Sequence, residues 1–385
     1  MYSQAFLLAA IAYLFITIFI YFNYPESWRK NRMFIATLIL WHIIGLASVV
    51  MVFTVFKHIT HEGMKYELAR IGTCYYIVTT MQAILFLIRY ISSRTYLFVM
   101  ERTGREISPQ GKCRISDKRI HAILIFLISF VVFTVGYFNI DILHDTRYEV
   151  TVEAESEEAE LNICLIADIH AGSGTWEYTY DDLVTMIDAA EPDVLLIAGD
   201  AFDETTGARD IENFAWALQE IRPPKYGMYY VYGNHDNNMD DWAANLMREM
   251  GATVLEDEMT IIGKDIQLIG CMDAKYGAKD LNSLFEDCHP DPDKPILVLT
   301  HRPKGFQQMS ELGADIAMAG HTHGFNVPQY MGSALFGDMY AGVIEFDAMT
   351  AVTTSGVSAW GFHYKWPAVS EVVRIHVTFR NGSEE

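Results

Sequence analysis

Five short apolar runs between residues 161 and 319 of this 385-residue chain are each followed by side chains of the kind that bind metal ions. The clusters are Asp168-Ile169-His170, Gly199-Asp200, Gly233-Asn234-His235-Asp236, His301 and Gly320-His321-Thr322-His323. A single Asp after a strand is ordinarily a helix cap or a turn residue. Five strand ends in series presenting Asp, His or Asn need another explanation, and they restrict the fold to sheets covered on both faces with ligands at the strand ends. The seven donors Asp168, His170, Asp200, Asn234, His301, His321 and His323 form an oxygen-and-imidazole set suited to two divalent cations sharing one bridging carboxylate. Glycines at 199, 233 and 320 allow the backbone close beside such a site.

The flanking pattern is that of alternating strands and helices. Runs 161–167, 194–198, 228–232, 296–300 and 316–319 read as strands, and 181–190 and 211–221 have helical spacing. Residues 261–271 read as a hairpin turning at Gly263-Lys264-Asp265. Residues 141–160 read as a linker with a first strand, and the acidic run 153–160 within them as a solvated turn. The soluble domain is then 161–385.

Residues 1–140 have a different character. Stretches 5–22, 33–56, 71–88 and 120–140 contain no charged residue, and each is about the length a helix needs to cross hydrocarbon. The first lacks a basic leader and is followed by three more, which argues against a cleaved signal. The connection between the first two holds Arg29, Lys30 and Arg32; that between the last two holds Arg89, Arg94, Arg102, Arg105, Lys112, Arg114, Lys118 and Arg119. The middle one has Lys57, Lys65 and Arg70 offset by Glu62 and Glu67. Basic excess marks the cytoplasmic side, so the soluble domain is expected outside it. His42 and His121, within or beside these runs, are expected to serve packing.

Charge divides along the same line. Residues 1–140 carry 14 Lys/Arg against 6 Asp/Glu, and the remainder 14 against 43. So acidic a domain excludes nucleic-acid binding by phosphate neutralisation and docking on anionic head groups. The five cysteines form no framework pattern; Cys271 and Cys288 are a bridge or two free thiols.

The ordered series D-x-H, G-D, G-N-H-D, H and G-H-T-H resembles the calcineurin-like metallophosphoesterases, and most of all their branch with N-terminal membrane segments. The likeness covers about residues 160–375 and extends to Thr354-Ser355-Gly356 and the stretch from Pro367 to Glu371. It implies a four-layer α/β/β/α sandwich, here preceded by four transmembrane helices. It implies one metal held by Asp168, His170, Asp200 and His323 and a second by Asp200, Asn234, His301 and His321. His235 is implied as the catalyst facing the leaving group, with Asp236 orienting it or capping the next segment. Imidazole-rich ligation favours Mn, Zn or Fe over Mg alone or Ca.

The expected protein is thus a membrane-anchored, metal-dependent phosphoric ester hydrolase, of the phosphodiesterase or pyrophosphatase class. Metal-bound hydroxide would attack phosphorus in a lipid-linked or cell-envelope substrate. A cytoplasm-facing hydrolase of a nucleotide-sugar lipid, and a non-enzymatic four-span receptor or assembly factor, are the alternatives. Two departures from the resemblance stand out: Phe325 after G-H-T-H-G, and Lys365-Trp366-Pro367 where the branch commonly places Arg. Arg302 is expected as a solvated charge. Trp360, Phe362, Tyr364 and Trp366 read as core packing or as an apolar lip.

Overall fold

The computed structural model describes residues 13, 15–54, 62–105, 118–172, 177–203, 206–236, 241–326, 329–337, 340–360 and 363–380. The chain divides into two units, Met1–Tyr137 and Phe138–Glu385.

In the first unit, the start of run 5–22 lies outside the described residues, and 15–23 is helical. The other runs fall in helices Arg32–Thr54, Glu62–Arg102 and Lys118–Asn139. Among the described residues two stretches, Arg70–Arg102 and Lys118–Asn139, are long and apolar enough to cross a membrane; Arg32–Ala47 is apolar but shorter. The expectation of four spans is therefore met at full length by two. The third run also overshoots its expected end at 88, because Arg89, Arg94 and Arg102 lie on the helix and not in a loop. Arginine is a good helix former, so its charge ends the apolar stretch and not the helix. At 1.5 Å per residue, 41 residues reach about 60 Å, roughly twice the hydrocarbon thickness. His42 serves interhelical packing here: its Nδ1 lies 2.9 Å from Tyr75 Oη, and Gly45 leaves room for the Tyr75 ring against its helix.

The second unit is built on two six-stranded sheets. The first runs β1 (Leu143–Val152), β12 (Ser370–Phe379), β2 (Glu160–Ile166), β3 (Val194–Ile197), β4 (Met228–Tyr230), β5 (Thr253–Val254). The second runs β10 (Gly342–Glu345), β11 (Thr350–Thr353), β9 (Ile316–Ala319), β8 (Ile296–Leu299), β7 (Ile266–Gly270), β6 (Glu258–Ile262). Strands β2 to β5 are mutually parallel, as are β7, β8, β9 and β11, so their ends fall on common edges.

Alternation along the strands sets the layers. Leu161, Ile163 and Leu165 of β2 and Leu196 of β3 meet Leu268, Leu297, Leu299, Ile316 and Met318 between the sheets. Their neighbours Cys164, Ile166, Leu195 and Ile197 point the other way, against Leu183, Ile187, Phe214, Leu218 and Met247 on three helices. Val298, Ala317 and Ala319 do the same on the far side, against Leu284, Phe285, Phe306 and Met309. The order is helix, sheet, sheet, helix. Each fully buried Leu or Ile contributes about 1.5–3 kcal/mol of transfer free energy, and a one-residue slip would expose a whole face. The five expected strands are present within two residues of their predicted bounds, and the hairpin begins three residues earlier than expected, at Glu258. The tail is new: β12 inserts between β1 and β2, parallel to one and antiparallel to the other.

Candidate metal centre

The parallel strands deliver the candidate residues to one edge. β2 stops two residues before Asp168, β3 three before Asp200, β4 four before Asn234, β8 two before His301 and β9 two before His321. The loops then lace together. Asp168 N–H donates to Gly199 O (3.0 Å), His170 N–H to Asp200 O (3.0 Å) and Gly320 N–H to His301 O (3.0 Å). His321 N–H donates to Asp168 Oδ2 at 2.8 Å.

Five of the seven expected ligands hold left-handed backbone: Asp168 (φ 52°), His170 (45°), Asp200 (51°), His321 (74°) and His323 (48°). Asp and His tolerate this region better than most residues but still at a cost, and such strain concentrates at functional sites. The glycines act as expected. A β-carbon on Gly199 would lie 2.5 Å from Gly233 N, and one on Gly320 2.7 Å from Asp168 Oδ2.

The side chains gather into two groups, Asp168–His170–His323 and Asp200–His301–His321, with the donor atoms of each within 4.8 Å of one another. Asp200 faces both groups: its Oδ2 is 3.7 Å from His170 Nε2 and 3.2 Å from His301 Nε2. Asn234 Oδ1 stands 3.2 Å from His301 Nε2, and His321 Nδ1 is equally close to it. The far nitrogens are held from outside. His301 Nδ1 bonds Ala198 O at 2.8 Å and His323 Nδ1 bonds Ser358 O at 3.1 Å, leaving each Nε2 toward the centre. Asp203 Oδ2 lies 3.4 Å from His170 Nδ1 and backs that ring, an arrangement common behind metal-binding histidines.

The electrostatics fit a bound cation pair. Asp168, His170 and His301 are fully buried, and Asp168 Oδ1 and His170 Nε2 have no hydrogen-bond partner. Burial pushes the Asp168 carboxyl up. Burial acts the same way on Asp200, but the His301 and His170 imidazoles outweigh it and hold the carboxyl well below the usual range. Burial pulls His301 down, and Asp200 and Asp168 reverse this to leave it raised to about 9. Burial, then His301 and Arg302, bring His321 down to about 4. Buried carboxylates and imidazoles in such mutual dependence are the donor set that divalent cations satisfy.

His235 and Asp236 occupy different roles in space. The His235 ring is partly exposed, with its centroid 4.6 Å from that of Trp360 and 5.4 Å from that of His170. The His235 backbone N–H donates to Asp200 Oδ1 at 2.7 Å. Asp236 is buried, and its carboxylate accepts the N–H groups of Asp200 (2.6 Å), Gly233 (2.7 Å) and Phe202 (2.9 Å). Those oxygens face loop backbone, so Asp236 acts on His235 through the loop they share.

Arg302 departs from expectation. Its guanidinium pairs with the buried Asp273 and lies 3.3 Å from His321 Nε2, so it is no solvated charge. Lys365 is fully buried. In the aromatic group Tyr364 is buried while Trp360 and Trp366 are exposed; Phe362 lies outside the described residues. Phe325 is exposed and holds φ 49°, a rare conformation for a bulky residue. Cys271 and Cys288 are free thiols. Sequence reasoning missed Asp203, Asp273 and Ser358. A second carboxylate three residues after Asp200 was the one local signal for the first of these.

Residues 161–325, which lie within the second unit, match the model of the calcineurin-like phosphoesterase family. An uncharacterized metallophosphoesterase of Campylobacter jejuni is 27% identical over 59% of this chain and 62% of its own length. A transmembrane protein with metallophosphoesterase domain from Bos taurus is 25% identical over 73% of this chain and 67% of its own. Phosphodiesterase YaeI of Escherichia coli is 27% identical over 43% of this chain and 62% of its own. The chain thus spans a little under two thirds of the length of the Campylobacter relative.

Proposed function

We propose that this protein is a membrane-anchored, two-metal phosphoesterase that cleaves a phosphoester or pyrophosphate bond in a lipid-linked or cell-envelope substrate. The observation that carries this reading is Asp200, whose Oδ2 faces histidines of both ligand groups. In this reading Asp168, His170, Asp200 and His323 hold one cation, and Asp200, Asn234, His301 and His321 the other; Mn, Zn or Fe suits these donors. When bound, the pair supplies Lewis acidity toward a phosphoryl oxygen and an acidified water as nucleophile.

The chain's own groups do the rest. Asn234 contributes a neutral oxygen, so the centre keeps net positive charge toward an anionic phosphate. His235, pinned to Asp200 through its N–H, presents a partly exposed ring that donates a proton to the leaving oxygen or stabilises its charge. Asp236 is a positioning residue that ties the Asp200 and Gly233 loops together. The exposed rings of Phe325, Trp360 and Trp366 support a substrate with an apolar portion.

Two apolar helices and a relative named as a transmembrane protein support membrane association. Four spans are proposed from the four uncharged runs, and an extracytoplasmic catalytic domain from the basic residues that follow the first and third runs. A reporter fused after residue 385 tests the side: an active periplasmic-type reporter supports it, and a signal only from a cytoplasmic reporter supports the nucleotide-sugar-lipid alternative.

The test of activity is hydrolysis of a chromogenic phosphodiester and a phosphomonoester by the full-length protein in detergent with Mn2+. His235→Ala is expected to lower kcat by about 10²–10⁴-fold with Mn2+ still bound. An unchanged kcat in that variant would remove His235 from the reaction.

A further inference from the structure

Lys365 is fully buried and has no ion-pair partner among the described residues. An ammonium is costly to bury unless each of its donors finds an acceptor. Here three backbone carbonyls converge on Nζ: Ser355 O at 2.5 Å, Ser358 O at 2.7 Å and Gly356 O at 2.9 Å. All three belong to one loop, 355–358. Burial lowers the ammonium to about 8, with Asp168 and Glu371 opposing it from a distance.

That loop runs directly behind the first ligand group. Val357 N–H donates to Ala167 O (2.9 Å) and Ser358 N–H to Asp168 O (3.1 Å). Ser358 Oγ donates to Asp168 O (3.0 Å) and Ile169 O (2.7 Å). Gly356, at φ 84°, lets the chain pass so close that a β-carbon there would lie 2.7 Å from Asp168 Cβ. The carbonyl of Ser358, already held by Lys365, is also the partner of His323 Nδ1. One side chain therefore braces the support of two residues, Asp168 and His323, whose Oδ1 and Nε2 face each other at 3.7 Å.

The second group is braced by other means, His301 through Ala198 O and Asp200 through its amide on Asp236. A planar guanidinium, with donors in a fixed fork, suits three converging carbonyls less well than a compact ammonium with three tetrahedral donors.

We propose that Lys365 is a positioning residue for the Asp168–His170–His323 cation site. It fixes loop 355–358 so that Ser358 O accepts a hydrogen bond from His323 Nδ1–H and directs Nε2 into the site. The inference rests on the two-metal reading and adds that the two cation sites are unequally dependent on the tail of the domain.

The test uses full-length protein in detergent, wild type and Lys365→Met, titrated with Mn2+ and followed by bound-metal analysis and electron paramagnetic resonance. Wild type is expected to bind two Mn2+ with a spin-coupled spectrum. Lys365→Met is expected to lose at least tenfold in affinity at one site, showing an uncoupled six-line signal at low loading while the other site keeps its affinity. Two Mn2+ bound with wild-type affinity and coupling in the variant would overturn the proposal. Should Lys365→Met not fold, hydrogen exchange on the wild type decides. The Val357 and Ser358 amides should slow at least tenfold on Mn2+ loading, and an unchanged rate overturns the proposal. Failure of the two-metal reading is a separate result, a wild type that binds no Mn2+, and it takes the proposal with it.

Discussion

At Gly233 the chain leaves no room for a side chain: a β-carbon would fall on the amide nitrogen and Oδ1 of Asp200. The neighbouring loop cannot yield, because Asp200 N–H and Gly233 N–H share one oxygen of Asp236. Gly233→Ala is therefore expected to cost about 3 kcal/mol, the upper range for overpacking, and to lower Tm by about 6–12 °C. Thermal unfolding of the full-length variant in detergent checks this, and a Tm within 2 °C of wild type, about the shift that 1 kcal/mol produces, would contradict it. The seven metal-type residues were legible in the sequence because each follows a short apolar run. Their supports were not. Lys365 lies 197 positions from Asp168, and nothing around it distinguishes a buried ammonium from a surface one. Asp236 sits beside His235 in sequence, and only the fold shows that its oxygens face the loops.

At the scale of elements, the strands follow from alternation and from length. Leu161, Ile163 and Leu165 enter the inter-sheet core while Cys164 and Ile166 face the helices, a split that a run of buried strand residues implies but does not orient. The insertion of β12 between β1 and β2 was not readable, because it depends on pairing across more than 200 positions. Helix Glu62–Arg102 ran past its expected end because arginine interrupts hydropathy without interrupting helix. Asp315, just ahead of β9, shows how one turn carries a pH dependence. Its Oδ2 accepts Ile296 N–H at 2.7 Å, yet burial raises its carboxyl to about 6. The folded state therefore holds this proton longer than the unfolded chain, whose carboxyl titrates near 4. From pH 4 to 6 the unfolded state loses the proton first, so this group's contribution to stability falls as pH rises and its penalty is complete above 6. Asp315→Asn keeps an acceptor for Ile296 and removes the penalty. After discounting for partial solvent screening it should gain about 1–2 kcal/mol at pH 7 and nothing near pH 3.5. Melting curves at both pH values test this; a gain equal at both would contradict it.

Charge governs the whole molecule. The chain has a formal net charge of −21, and the excess lies beyond residue 140. A long-range field of that sign repels a phosphate, so in the proposed reading attraction would come from cations held at Asp168, Asp200 and their histidines. Raising salt screens the repulsion over about 10 Å at 0.1 M and reaches a buried centre much less. For an anionic phosphodiester, kcat/KM should rise about two- to fivefold between 20 and 200 mM salt, whereas a fall would place a positive steering surface on the domain. The most direct test of the two-metal account is to titrate metal-free, full-length protein with Mn2+ and follow phosphodiester hydrolysis, in wild type and Asp200→Asn. The account predicts activity that saturates at two Mn2+ per chain in wild type and is abolished in Asp200→Asn, whose amide cannot bridge two cations. Activity that saturates at one Mn2+, or that survives in Asp200→Asn, would contradict it.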